Sequence, residues 1–440
     1  MKKVLIITYY WPPSGGSGVQ RWMYFAKYLP DFGIDPFVLT VNPLFASYKF
    51  IDESFQKNVE SVKVFKTVSS EPFNIYSKLI RKSKEEAIPQ GFTGESNPGI
   101  VQKISRFIRG NFFIPDARKG WVKFAVKEAK KIISRENIDI IITTGPPHSS
   151  HLIGLELKKK FNVSWIADFR DPWTELFYNK LFYRTPIAKS IDQKLEQKVL
   201  NNADLILTIG PSMAEMLQKK TNRRNKEGEK VHYIYNGFEQ ELFKNLIKNK
   251  AKNIFVICHL GILSDNQPID GFIKAMKQMF TSNDIISENV KLQLIGKIAP
   301  GILSKLRFEI PELKLEIMDY MPHEKAIQQI LNADLLFNSL ADVPNGKYLV
   351  SGKLMEYIAT GNPIICLGDE DGDAAALLSQ FKNANVYDRL NVEAIYQHIL
   401  KVYSLWKSGK ENEEVILNEK YSRYNSTKQL AEIINTLNLN

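Results

Sequence analysis

The 440-residue chain has only two cysteines, Cys258 and Cys366. They lie in apolar runs, NIFVICHLG and NPIICLG, with no CxxC spacing. That excludes a disulfide framework and a thiolate zinc site, and it predicts two free core thiols in a reducing compartment. Long hydrophobic runs are also missing. No stretch approaches the roughly 18 uncharged apolar residues of a spanning helix. The opening KKVLIITYYW imitates a signal peptide but runs into PPSGGSG without an A-x-A site, so it predicts a first buried strand. No short-period repeat is visible, which excludes a solenoid.

What is present is ordinary in composition and uneven in charge. Hydrophobic residues make up 44% and charged residues 24%. Those values exclude a disordered, collagen-like or coiled-coil chain. The length is about three times the usual domain, which predicts two large domains. The net charge of +11 is confined to one half. Residues 1–235 hold 37 basic and 23 acidic side chains, and the remaining 205 residues hold 22 and 25. The first half therefore asks for an anionic partner.

Short β-branched runs alternate with amphipathic stretches, the pattern of parallel sheets covered by helices on both faces. VLIITYY, PFVLT, VKVFK, IDIIITT, VSWIAD, ADLILTI and VHYIY read as seven strands of a first domain. After the turn dipeptide Asn236-Gly237 the pattern repeats in NIFVICHLG, VKLQLIG, LKLEIM, ADLLFNSL and NPIICLG. The predicted divisions are 1–235, 236–414 and a C-terminal helix within 415–440 that returns to the first domain. An insertion over 71–120 is too long for an ordinary connection. Within it, Ile75, Tyr76, Leu79 and Ile80, and then Ile100, Val101, Ile104, Phe107 and Ile108, fall on helical faces opposite lysines and arginines. Residues 75–109 are thus expected to lie on an anionic membrane surface.

Four motifs carry candidate chemistry. The first strand ends in PPSGGSGVQR, where Gly15 and Gly16 let backbone approach an anion at a helix N-terminus and Arg21 adds a charge. The dinucleotide fingerprint is incomplete, because Arg21 replaces its third glycine and no acidic residue ends PFVLT. TTGPPHSSH places His148 and His151 at a strand carboxyl end, where open α/β sheets bind ligands; no third ligand has metal spacing. ADFRDPW concentrates Asp168, Arg170, Asp171 and Trp173 at the next strand end, as an acceptor-facing clamp or a buried ion-pair cluster. In SGKLMEYIATGNP, Ser351 stands at a helix N-cap, the amides of Gly352, Lys353 and Leu354 and the Lys353 charge suit a diphosphate, and Glu356 suits a ribose.

These pieces, in this order with YIYNGF, resemble the family-4 retaining glycosyltransferases over nearly the whole chain. The resemblance implies an α/β GT-B fold of two Rossmann-like domains facing across a cleft, the first binding the acceptor and the second the nucleotide sugar. It implies Gly15 and Gly16 near donor phosphates or acceptor, His148 at the reacting centre and Glu356 on the ribose. Asp171 is a separate candidate for a carboxylate on the reacting face. Tyr348 stands eight residues before Glu356, where the family commonly has a second glutamate. HLGILSDNQPIDG lacks the usual donor-site Arg and Lys, for which Lys297 and Lys353 are the substitutes. The donor-binding set is then Gly16, Lys297, Ser351, Gly352, Lys353, Leu354 and Glu356, and the acceptor-binding set Gly15, Arg21, His151, Asp168, Arg170 and Trp173. No cofactor and no metal is assigned, because no Asp-x-Asp reads as a metal holder near a donor strand.

The expected activity is transfer from a nucleotide-diphosphate sugar to a glycan or lipid-linked saccharide in cell-surface polysaccharide synthesis. The expected location is the cytoplasm, soluble or on the inner face of the cytoplasmic membrane. The alternatives are a nucleotide-sugar 2-epimerase of the same architecture and a basic non-enzymatic surface-binding protein. No RRM, OB or helix-turn-helix pattern supports a nucleic-acid partner.

Overall fold

A computed structural model describes residues 1–48, 51–70, 100–221, 230–244, 246–251, 253–282, 284, 287–409 and 418–437. The expectation for 75–99 lies outside the described residues. The chain divides into two compact units. One takes its residues from 1–236 and from 423 onward, and the other from 237–422. The residues that rejoin the first unit run from Arg423.

The first unit is built on a seven-stranded sheet of β1 (Lys2–Ile7), β2 (Ile34–Val41), β3 (Lys63–Thr67), β4 (Ile140–Gly145), β5 (Ser164–Phe169), β6 (Leu205–Thr208) and β7 (Val231–Tyr233). The order is β3-β2-β1-β4-β5-β6-β7, and every described pairing is parallel. Val4 to Ile7 and Ile140 to Ile142 are fully buried, as strands covered on both faces require. The helix Ser17–Tyr28 buries Trp22, Met23, Phe25 and Ala26 against this sheet. The helix Arg423–Thr436 completes the same core through Leu430, Ala431 and Ile434. Leu430 and Ile434 are each worth about 1.5–3 kcal/mol of apolar burial. The Arg423 guanidinium lies 3.9 Å from the Tyr24 ring centroid, over its face.

The second unit repeats the plan with β8 (Phe255–Leu260), β9 (Val290–Ile295), β10 (Lys314–Met318), β11 (Leu335–Ser339), β12 (Ile364–Leu367) and β13 (Ala384–Tyr387). Their order is β10-β9-β8-β11-β12-β13, again parallel. β13 is the strand that periodicity misses, because ANVY is four residues long and half polar. Both cysteines are free and buried, and burial pushes both thiols up.

Each sheet reverses its order once, between β1 and β4 in the first unit and between β8 and β11 in the second. Ligands of open α/β sheets bind outside the strand carboxyl ends at such reversals. The loops after β1 and β4 carry PPSGG and GPPH; the loop after β8 carries GILSD.

Candidate functional site

In the first unit the site grows from the loop after β4. His148 occupies the N-cap position of the helix Ser149–Lys158, but its side chain does not cap. Asp116 does that work instead, accepting from the Ser149 amide and hydroxyl at 2.8 Å each. Released from capping, the His148 ring stacks on Trp173, with centroids 5.0 Å apart and planes 8° apart. Trp173 is held by donating to Asp192 at 2.8 Å, and Arg184 pairs with the same carboxylate.

Neither His148 ring nitrogen has a hydrogen-bond partner among the described residues. The ring lines a pocket of about 100 Å³ together with Tyr10, Asp116, Arg118, Trp173 and Arg184. Burial, seconded by the Arg170 charge, holds the imidazole down at about 3; the Pro172 carbonyl pulls the other way without hydrogen-bond geometry. His148 is therefore neutral at physiological pH. It can donate or accept one hydrogen bond to a ligand hydroxyl, but it is too weak a base to be an efficient proton shuttle.

Most of the expected acceptor residues serve the fold instead. Arg21 and Asp168 form a buried ion pair at 3.1 Å. All five guanidinium donors of Arg21 are used, on Asp168, the Ile234 and Thr208 carbonyls and Asn236. The other Asp168 oxygen takes the Trp22 indole N–H at 2.6 Å and the Thr144 hydroxyl at 2.8 Å. The pair is closed to a ligand, and it pins the first helix to the strand ends. His151 is fully buried, with Nδ1 2.9 Å from the Thr143 hydroxyl and its ring stacked on Phe169.

Arg170 donates to the Gly18 carbonyl at 2.6 Å and to the Pro146 carbonyl, so it ties the glycine loop to the histidine loop. Asp171 follows it, with its carboxyl raised by burial against the pull of Arg170, and it does not line the His148 pocket. Trp173 lines that pocket as the platform under His148. Gly15 is half-buried and Gly16 exposed in the loop after β1. Gly16 has φ +90°, a conformation that a side chain resists, and it caps its helix without a side chain.

The second unit assembles its own group of side chains. The helix Gly352–Thr360 starts at Ser351 without a side-chain cap. A Cβ added at Gly352 would meet nothing within 4 Å, so the space beside the helix N-terminus is open. Leu354 leaves the expected set: its side chain is fully buried and its amide closes on the Ser351 carbonyl at 3.0 Å. Lys297 stands exposed after β9.

Lys353 turns inward, donating to the Ile262 carbonyl at 2.9 Å and lying 3.2 Å from His259 Nε2. His259 Nδ1 lies 3.1 Å from the Phe337 carbonyl, which assigns the proton to Nδ1 and leaves Nε2 to accept from lysine. Burial holds Lys353 down at about 7. Some surface of the side chain stays open. Glu356 accepts from His323 Nε2 at 2.7 Å. Sequence reasoning missed His259 and His323, since the first sits inside an apolar strand and the second 33 residues from its partner.

Asp369, Asp371 and Asp373, overlooked as Asp-x-Asp spacings after β12, are drawn apart. Asp369 pairs with Arg389 and Asp371 with Lys347, while Asp373 opens the helix Asp373–Leu378. No group of three metal-holding side chains forms among the described residues. A larger cavity, of about 560 Å³, is lined by Lys250, Asp334, Asn362 and Trp406 at the strands' amino ends, away from this group.

Residues 89–242 match Glycosyltransferase Family 4. That match covers about a third of the chain, so this stretch is similar to family-4 glycosyltransferases. Similar solved structures give the chain the GT-B fold. Sucrose-phosphate synthase from Thermosynechococcus elongatus aligns with TM-score 0.61 and 13% identity over 99% of both chains. HepE of Anabaena, solved with UDP-glucose, aligns with TM-score 0.57 and 14% identity over 99% of this chain and 100% of its own. A Listeria monocytogenes protein described as a UDP-N-acetylglucosamine 2-epimerase aligns with TM-score 0.55 and 12% identity over 99% and 96%. No curated protein matches the chain.

Proposed function

We propose that this chain moves a sugar, with retained configuration and without a metal, from a nucleotide-diphosphate sugar to a glycan or lipid-linked saccharide in cell-surface polysaccharide synthesis. The observation that carries the donor half is the helix Gly352–Thr360, with an uncapped N-terminus, Lys353 within its first turn and Glu356 oriented by His323. The dipole and amides favour the diphosphate, and the carboxylate accepts from ribose hydroxyls. UDP-glucose in HepE supports a nucleotide-sugar donor.

In the proposed step the bond from sugar C1 to the phosphate oxygen breaks, and the acceptor oxygen bonds to C1 on the same face. The acceptor proton leaves with the departing phosphate. Charge then grows on the diphosphate, where the helix amides and the Lys353 ammonium stabilise it. His148, neutral and unpartnered among the described residues, positions a sugar or acceptor hydroxyl. Epimerisation is the second reading, because the Listeria protein shares the fold; the family match favours transfer.

The test supplies labelled nucleotide sugars and glycolipid acceptors in excess chelator and determines the product's anomeric configuration by NMR. A retained linkage at undiminished rate is expected. Inversion, or a strict need for Mg or Mn, contradicts the mechanism.

A further inference from the structure

The helix Ile100–Phe112 is mounted the wrong way round for a soluble protein. Ile100, Ile104, Phe107, Ile108 and Phe112 are exposed, the first by 77% and the last by 66%. Arg106 and Gly110 point inward instead. The cationic face expected from periodicity is therefore partly buried, and the apolar face is presented outward.

The docking is specific. A Cβ at Gly110 would come within 2.4 Å of the Phe182 carbonyl, so only glycine permits this approach. Asn111 accepts from the Thr185 amide at 2.8 Å and donates to the Tyr183 carbonyl at 3.2 Å. Arg109 lies over the Phe182 ring.

The neighbouring segment extends the same surface. Leu181, Tyr183, Ile187 and Ile191 are exposed, Ile187 by 74%. Lys103, Lys180, Lys189 and Lys194 are exposed among them. The two carboxylates of 177–198, Asp192 and Glu196, are both buried on Arg184 and Lys220, and 100–112 has none. Among the described residues of these two segments, the surface is apolar, cationic and free of exposed acid.

We infer that the surface formed by 100–112 and 180–194 docks on an anionic lipid bilayer. Apolar side chains enter the headgroup boundary while lysines meet anionic headgroups, the division of labour of interfacial helices. The charge complementarity selects a bilayer over a second copy of the chain, whose matching face would carry the same positive sign. Arg109, Phe182 and Arg184 belong to these segments and also line the His148 pocket. The surface thus borders the proposed acceptor pocket, and the inference deepens that reading by making the acceptor one carried in the membrane plane.

The test is co-sedimentation of the full chain with phosphatidylcholine vesicles with and without 30–40% (about a third) phosphatidylglycerol, a content at which each surface lysine contributes roughly fivefold in affinity. Binding confined to the anionic vesicles, weakened by salt, and lowered at least about tenfold in an Ile104→Ser/Phe107→Ser variant is expected. Both positions are exposed, so the variant keeps its fold, which thermal melting verifies. Equal binding by variant and parent, or no binding to anionic vesicles, overturns the inference. So does concentration-dependent dimerisation abolished by the same variant. Turnover of a water-soluble acceptor by the variant separates the two readings: retained turnover with lost vesicle binding isolates the surface, whereas absent turnover in both proteins counts against the transferase reading.

Discussion

His148 lies flat on Trp173, 5.0 Å between centroids, with neither ring nitrogen hydrogen-bonded among the described residues. A stacked, buried and neutral imidazole offers a ligand directional hydrogen bonding in a water-poor setting. His148→Ala should lower kcat by roughly 10²–10³, the cost of a lost preorganised donor, with little change in donor affinity. Steady-state kinetics alongside calorimetry with the nucleotide sugar checks the split.

Buried neutral histidines also make the protein acid-labile. His148 is held at about 3 and His398 at about 4, and His151 and His259 well below their ordinary value, chiefly by burial in every case. The unfolded chain binds those protons first, so stability is full above about pH 6.5 and falls as pH drops toward 4, by about 1.4 kcal/mol per pH unit for each such group. Urea midpoints between pH 7.5 and 4.5 should fall steeply, and His398→Asn should flatten the slope.

The pair Glu356 and His323 gives a separate prediction. Glu356→Ala should weaken nucleotide-sugar binding by about 1.5–3 kcal/mol, or roughly 10- to 100-fold. His323 acts as a positioning residue, so His323→Ala should raise KM more than it lowers kcat, and His323→Gln, which keeps an N–H donor, should restore most of the loss. Unchanged affinity in Glu356→Ala removes the ribose assignment.

Lys353 sets a pH dependence of binding. With its amine at about 7, a diphosphate that pairs with the ammonium must draw a proton above that pH. Nucleotide-sugar affinity should be flat below about pH 6.5 and fall, at most about tenfold per unit, above about 7.5. Nucleotide sugars lack a secondary phosphate ionisation, so they report the lysine directly. Lys353→Arg, charged throughout, should abolish the slope.

Arg21 and Asp168 show where reading the sequence succeeds and where it stops. Apolar strands such as VLII and IIIT announce themselves by burial on both faces, whereas the places where each sheet reverses are seen only in the strand pairing. A charge at a strand end carries no such mark. Arg21 and Asp168 look like ligand contacts until the Ile234, Thr208 and Asn236 oxygens and the Trp22 and Thr144 donors are seen to use them up. The same limit hid His323, whose meaning depends wholly on Glu356 across the fold. Arg21→Met should leave Asp168 buried and unpaired at a cost of about 3–5 kcal/mol. Loss of the first unit's cooperative melt checks it, whereas a ligand-only role would leave melting intact and raise KM.

The most direct measurement is the release of nucleoside diphosphate from a panel of UDP, GDP and ADP sugars, with and without a membrane glycolipid acceptor. Release that requires the acceptor, matched mole for mole by sugar on the lipid and lowered in Glu356→Ala at limiting donor, is the expected result. An epimerised nucleotide sugar formed without acceptor, or no binding of any nucleotide sugar, would contradict sugar transfer by this chain.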